Sequence, residues 1–196
     1  VEIQIFVDPT RHPLPHLRQQ MVRLLRAELS LSRRALTEVD PHRIEQLQAI
    51  EDEIDQIYLL TVRQLLLASD DFRVAQEIGV PSHHYQIGDR LVAKALEMIG
   101  DRLFDTGREL LSAPNEVRRM PRACQEEIET LLDRFDRLLA RTMEAFSQLS
   151  LLMTNATLNE LLKELDRQPT FGRLQTRSMA RATALLVQRV ASNLLT

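Results

Sequence analysis

CQEEIETLLDRFDRLLARTMEAFSQL, residues 124–149, carries apolar or small side chains at Cys124, Ile128, Leu131, Phe135, Leu138, Thr142, Phe146 and Leu149. Steps of three and four residues hold all of them on one stripe of an α-helix, whereas a strand would scatter them over both faces. The stripe continues for about seven turns at 3.6 residues per turn. It therefore predicts a long helix buried along one side against other helices.

The same spacing recurs outward from this stretch. Upstream, Leu17, Met21, Leu24, Leu25, Leu31 and Ala35 form the apolar face of a first helix that ends near Val39. Asp40-Pro41 restarts the chain, because an aspartate can cap orphan amides and proline is tolerated at the first helical position. A second helix follows to about Ala68, with Leu47, Ile50, Ile54, Ile57, Thr61 and Leu65 as its seam. Ser69-Asp70-Asp71 and Gly79-Val80-Pro81 bracket a connector. Ser82 then caps a third helix to about Ser112, with Leu91, Ala95, Ile99, Leu103 and Leu110 inward and Pro114-Asn115 as its stop. Downstream, Thr157 and Glu160 have the spacing of a capping box that opens a short fifth helix, closed by Pro169 and Gly172. The sixth, from about Phe171, is rich in small residues such as Ala180, Ala182, Ala184 and Ala191.

The expected fold is thus all-α, with two tandem three-helix bundles over residues 13–113 and 114–196. Residues 1–7, VEIQIFV, alternate as a short N-terminal strand does. With no initiator methionine, residues 1–12 read as the end of a preceding domain or a linker, and the chain as part of something longer.

Composition narrows the function classes. A 196-residue chain that is 44% apolar can bury a core without covalent staples. Cys124 is the only cysteine, so no disulfide can form within the chain, and a reducing cytoplasm is the expected setting. No apolar run approaches the ~18 residues that a membrane span needs, so no membrane insertion is expected. A net charge of -3 argues against coating nucleic acid. Lys94 and Lys163 are the only lysines among many arginines.

Two rows of acids stand out. Glu51 and Asp55 lie four residues apart on the second helix, and Glu97, Asp101 and Asp105 repeat that spacing on the third. Like charges at this spacing repel by ~0.2–0.5 kcal/mol per pair. On packed helices such ridges could surround one hard cation with oxygen ligands. The plainer alternative pairs each acid with an arginine, of which Arg63, Arg90, Arg102 and Arg108 are near in sequence. A di-metal oxidase needs Glu-x-x-His on two helices, and no such motif is present. A nucleophile elbow and a phosphate-binding P-loop are also missing, and Cys124 sits on an apolar seam, so no enzyme activity is expected. Adjacent His83 and His84 point about 100° apart on a helix and read as capping or surface groups. After Asp166 the chain holds Arg167, Arg173, Arg177, Arg181 and Arg189 with no acid. Arg173, Arg177, Arg181 and Arg189 are the candidate partner-binding face, unless they pair with the acidic fourth and fifth helices.

VAKALEMIGDRLFDTGREL at 92–110 resembles the third-helix signature of the PhoU family of phosphate-uptake regulators, and EDEIDQIYLLTVRQL at 51–65 resembles its second-helix motif. Together with VEIQIFVDPTRHPL at the start, the order is similar to archaeal members in which the PhoU domain follows an AbrB-like DNA-binding domain. The resemblance implies a cytoplasmic, often dimeric regulator of phosphate uptake or phosphate-responsive transcription. It would act on a phosphate transporter or sensor kinase, and on DNA only through the preceding domain. It also implies metal ligands at Glu51, Asp55, Glu97 and Asp101, with Asp105 beside them, for one divalent or ferric cation. Arg102, Asp105 and Arg108 depart from the family's usual His, Asn and Glu. Ala180 and Ala184 replace the acids of the second repeat, so at most one site is expected. The alternatives are a helical module regulating another ion channel or transporter, an architectural dimerisation unit, and a metal-dependent hydrolase using the same acids.

Overall fold

The computed structural model describes residues 11–38, 40, 42–149, 151–166, 183, 185, 186, 189 and 190. Among them it contains helices α1 (Leu14–Ala35), α2 (His42–Asp70), α3 (Phe72–Glu77), α4 (His83–Ser112), α5 (Pro114–Arg119), α6 (Arg122–Gln148) and α7 (Leu151–Asp166), and no strand. The all-α class expected from the spacing is the one observed. No described helix is long and apolar enough to cross a membrane. The strand expected at residues 1–7 and most of the expected sixth helix lie outside the described residues.

Two short helices occupy segments expected to be irregular. The side chain of Asp71 accepts a hydrogen bond from the Arg73 amide at 2.8 Å and so starts α3. Gly79, at φ +84°, follows it in a conformation that a side chain would strain. Pro114, expected only to stop α4, also opens α5 from the first-turn position, where its missing N–H costs nothing. The expected capping box at Thr157 and Glu160 is not a helix start, because α7 begins at Leu151 and runs through both. The break comes earlier, at Leu149, whose left-handed backbone (φ 49°) ends α6 with its amide on the carbonyls of Ala145 and Phe146.

Two apolar faces are also rotated from expectation. In α6 the buried residues are Cys124, Ile128, Leu132, Leu139 and Ala145, while Thr142 and Leu149 are exposed. A strict seven-residue repeat drifts about 20° per heptad on a straight helix, and only a supercoil would hold it in line. In α4, Leu103 and Leu110 are buried as expected, but Leu91 and Ala95 are exposed and Ala93, Leu96, Gly100 and Gly107 complete the buried row. Both rows are apolar, so spacing alone does not choose between them. Asp89 settles the rotation, since it is buried and paired with Arg18 of α1.

The contacts divide the chain into two compact units: Gln48–Asp101 with the chain up to Ala27, and Glu28–Leu47 with the chain from Arg102 on. The division runs through α1, α2 and α4 and not at the turn between α4 and α5. In the first unit Leu14, Leu17, Met21 and Leu25 of α1, Ile54 and Ile57 of α2 and Ala93 and Leu96 of α4 are buried. Each leucine-sized side chain so buried contributes about 1.5–3 kcal/mol. The Leu14 amide donates to the Ile78 carbonyl at 3.0 Å, and Gln64 donates to the His12 carbonyl at 2.8 Å. The core of the second unit includes Leu29, Leu47, Leu103, Leu110, Val117, Ile128, Leu132, Leu186 and Val190.

Candidate carboxylate site of the first unit

The close approach of α2 to α4 rests on Gly100. A Cβ there would stand 3.3 Å from two carbons of Ile54 and 3.4 Å from Oε2 of Glu51. That contact is tighter than side chains normally keep, so the missing side chain leaves the room in which Glu51, itself buried, reaches the backbone of α4. The two acid motifs therefore share a neighbourhood, as packed ridges require.

One turn on from Glu51, Asp55 is exposed, yet its carboxyl is held above the usual aspartate range. Partial desolvation is the first cause; the charges of Glu97, Asp101 and Asp52 add to it, and Lys94 opposes. Asp55 on α2 thus feels two of the acids singled out by spacing on α4, Glu97 and Asp101.

Lys94 is the residue that spacing missed. Its ammonium is ion-paired with Glu97, whose side chain is only 12% exposed. The hydrogen bond from Lys94 to Glu97 pushes the lysine pKa up, partial burial works against it, and the charges of Glu97, Tyr58 and Asp101 reinforce the rise. The same ammonium lies 5.3 Å from the ring centroid of Tyr58, and the Arg90 guanidinium lies 5.0 Å from it. Arg90 also donates to the Tyr58 hydroxyl at 2.6 Å. The available signal was the i,i+3 spacing of Lys94 and Glu97 in a chain with two lysines.

Among the described residues no three His, Cys, Asp or Glu side chains are arranged to hold a metal ion. The acids repel as neighbours do, but they do not converge as ligands do, and a tethered ammonium already sits on one of them. Asp105, the last acid of the ridge, belongs to the second unit and pairs with Arg108 at 2.7 Å. That is the arginine pairing weighed as the plainer alternative.

Of the candidate partner-binding arginines, Arg189 is ion-paired with Glu109 of α4 at 3.2 Å. Arg173, Arg177 and Arg181 lie outside the described residues. His83 is exposed, with Nδ1 3.1 Å from Oε1 of Gln86, which suits the surface role expected of it. It borders a cleft of about 350 Å³ together with Ser69, Phe72, Val80, Pro81 and Gln86. In comparisons with known proteins, no protein family, curated protein or solved structure matches this chain.

Proposed function

We propose that this chain is a non-enzymatic regulatory domain of the PhoU type, which controls phosphate uptake or phosphate-responsive transcription by binding other proteins. The observation that carries the reading is the approach of α2 to α4 at Gly100, across which Glu97 and Asp101 act on the carboxyl of Asp55. The two segments that resemble the family's motifs, 51–65 and 92–110, hold these acids on neighbouring helices, as a shared carboxylate site requires. Two tandem three-helix repeats, 13–113 and a degenerate 114–196, belong to the same reading. So do a cytoplasmic location, a homodimer, and DNA contact only through an AbrB-like domain.

The donor chemistry of Glu51, Asp55, Glu97 and Asp101 suits a hard divalent or ferric cation. Their arrangement does not fit one while Lys94 stays on Glu97, so a cation enters this reading only as a competitor of that ammonium. No step of the regulation is derived through it.

The test is affinity capture of the full chain from its own cells, grown with scarce and with ample phosphate, followed by identification of the bound proteins. Phosphate-transport components or a sensor kinase, exchanged between the two conditions, are the expected result. Capture of a potassium or sodium transporter in their place, indifferent to phosphate, would overturn this reading in favour of a module for another transporter.

A further inference from the structure

Charged residues make up 27% of the chain, yet none occurs in AFSQLSLLMTNATLN, residues 145–159, the longest uncharged run in the sequence. That run is the elbow at which α6 ends and α7 begins. Arg141 of α6 is ion-paired with Glu160 of α7. The two stand eight residues before Leu149 and nine after Leu151, so the helices fold back on each other as the arms of a hairpin. At its apex Leu149, Leu151 and Leu152 are 66%, 81% and 82% exposed. The last two are the most exposed large apolar side chains among the described residues.

Polarity rises away from the apex along both arms. Behind the leucines come uncharged polar groups, Ser147 and Gln148 on α6 and Thr154, Asn155 and Thr157 on α7. Leu158 and Leu162, each 50% exposed, extend the apolar surface along the outer side of α7. The first two charges on each arm are Glu144 and Arg141, and Glu160 and Lys163, which sum to zero. Hydrocarbon, neutral polar groups and then charge is also the order met on leaving the inside of a bilayer for water. At 1.5 Å per residue the uncharged length is about 7 Å from Leu149 to Glu144 and about 13 Å from Leu151 to Glu160. That is comparable with the ~5–10 Å to which interfacial helices sink. It falls far short of the ~30 Å hydrocarbon core, and the absence of a spanning helix among the described residues bears on crossing alone.

The directions of the leucines separate a lipid from a protein as the occupant. Leu151 and Leu152 are consecutive on a helix and point about 100° apart, and Leu149 leaves the left-handed residue between the arms. A groove on a partner protein takes one side of a helix, whereas a fluid layer of acyl chains takes a tip from all sides. We propose that the apex between α6 and α7 seats in one leaflet of a lipid bilayer, with Leu149, Leu151 and Leu152 among the acyl chains and Thr154 and Asn155 at the level of the headgroups. Because the flanking charges balance, the attraction is burial of apolar surface and not the pull of a basic cluster on anionic lipid. The inference is independent of the regulatory reading and of the proteins captured to test it.

The experiment uses the full chain and extruded phosphatidylcholine vesicles, with and without phosphatidylserine, at low and high salt. Co-flotation is measured for the parent and for Leu151→Asp/Leu152→Asp, with circular dichroism to verify that each is folded. The parent should float with the neutral vesicles at both salt concentrations. The variant should partition more weakly on the order of tenfold or more, because two leucine side chains no longer leave water. The chain has no tryptophan, so Leu152→Trp places a single reporter at the apex, and Leu66→Trp places one on α2 at a site that is 64% exposed. Vesicles should shift the emission of the apex reporter to the blue, and lipids brominated on their acyl chains should quench it, while the reporter on α2 does neither. No flotation with neutral vesicles, flotation that needs phosphatidylserine and is lost at high salt, a variant that floats as well as the parent, or an equal response from the two reporters would each overturn the proposal.

Discussion

Helix α4 meets its neighbours through a glycine in each unit, and the two contacts differ in what they bring close. At Gly100 in the first unit a Cβ would meet Ile54 and a carboxylate oxygen of Glu51; at Gly107 in the second it would meet a methyl of Leu47 at 2.9 Å and the hydroxyl of Ser32 at 3.0 Å. The charges differ in parallel. In the second unit Asp105 takes Arg108, Glu109 takes Arg189 and Asp133 takes Arg33, at 2.7–3.2 Å. In the first, Asp55, Glu97 and Asp101 all lie within the influence of Lys94. One helix thus serves a second unit in which these acids each face an arginine and a first unit in which the acids of α4 raise the pKa of Asp55 on α2.

The strongest way to break this comparison is at Gly107. Gly107→Val puts branched carbons into a space closed by Leu47 and Ser32, both fully buried. Overpacking of this kind costs about 1–3 kcal/mol, and a chemical denaturation curve should show it as a lowered midpoint. An unchanged midpoint would mean that the second unit does not depend on this close approach.

Lys94→Met sharpens the comparison in the first unit. The acids lose their shared counter-charge, so the variant should melt below the parent near neutral pH, and the gap should narrow on acidification as the carboxylates take up protons. Divalent ions should raise its melting temperature more than they raise that of the parent, because they replace the missing charge. Equal response in both proteins would show that Lys94 does not hold the place of a cation.

Asp55→Asn gives the smallest effect. A carboxyl whose folded pKa is raised binds its proton more readily when folded. Its ionisation therefore removes stability as pH rises through the raised value, and the loss is complete at neutral pH. The amide variant should be more stable than the parent at pH 7, by less than about 1 kcal/mol because Asp55 is exposed. The difference should vanish once the pH falls below the ordinary aspartate value of 3.8, where folded and unfolded chains both hold the proton. A variant less stable than the parent at pH 7 would show that Asp55 makes a favourable contact as a charge.

Much of this was legible in the residues. The seam of α2 was, because Leu47, Ile54, Ile57, Thr61 and Leu65 are buried where the spacing put them, with Ile50 half-buried beside them. Asp40 capping the His42 amide at 3.0 Å follows from the Asp-Pro signal. The neighbourhood of Asp55, Glu97 and Asp101 also follows from the two ridges, since i,i+4 acids on packed helices have few other places to go. The role of Lys94 was not legible, because an i,i+3 pair on a helix is ordinarily a solvated one and nothing local says that its glutamate is nearly buried.

The sequence by itself determined that the chain is helical and where most helices begin and end, because period, caps and prolines act over a few residues. Only the tertiary structure decided which of two apolar rows on α4 turns inward, which acids share one cation and which have an arginine each. Those choices depend on groups distant in the chain, such as Arg18 for Asp89 and Arg189 for Glu109. The free energy that separates the alternatives is exchanged across packed helices, where a local pattern has no access to it.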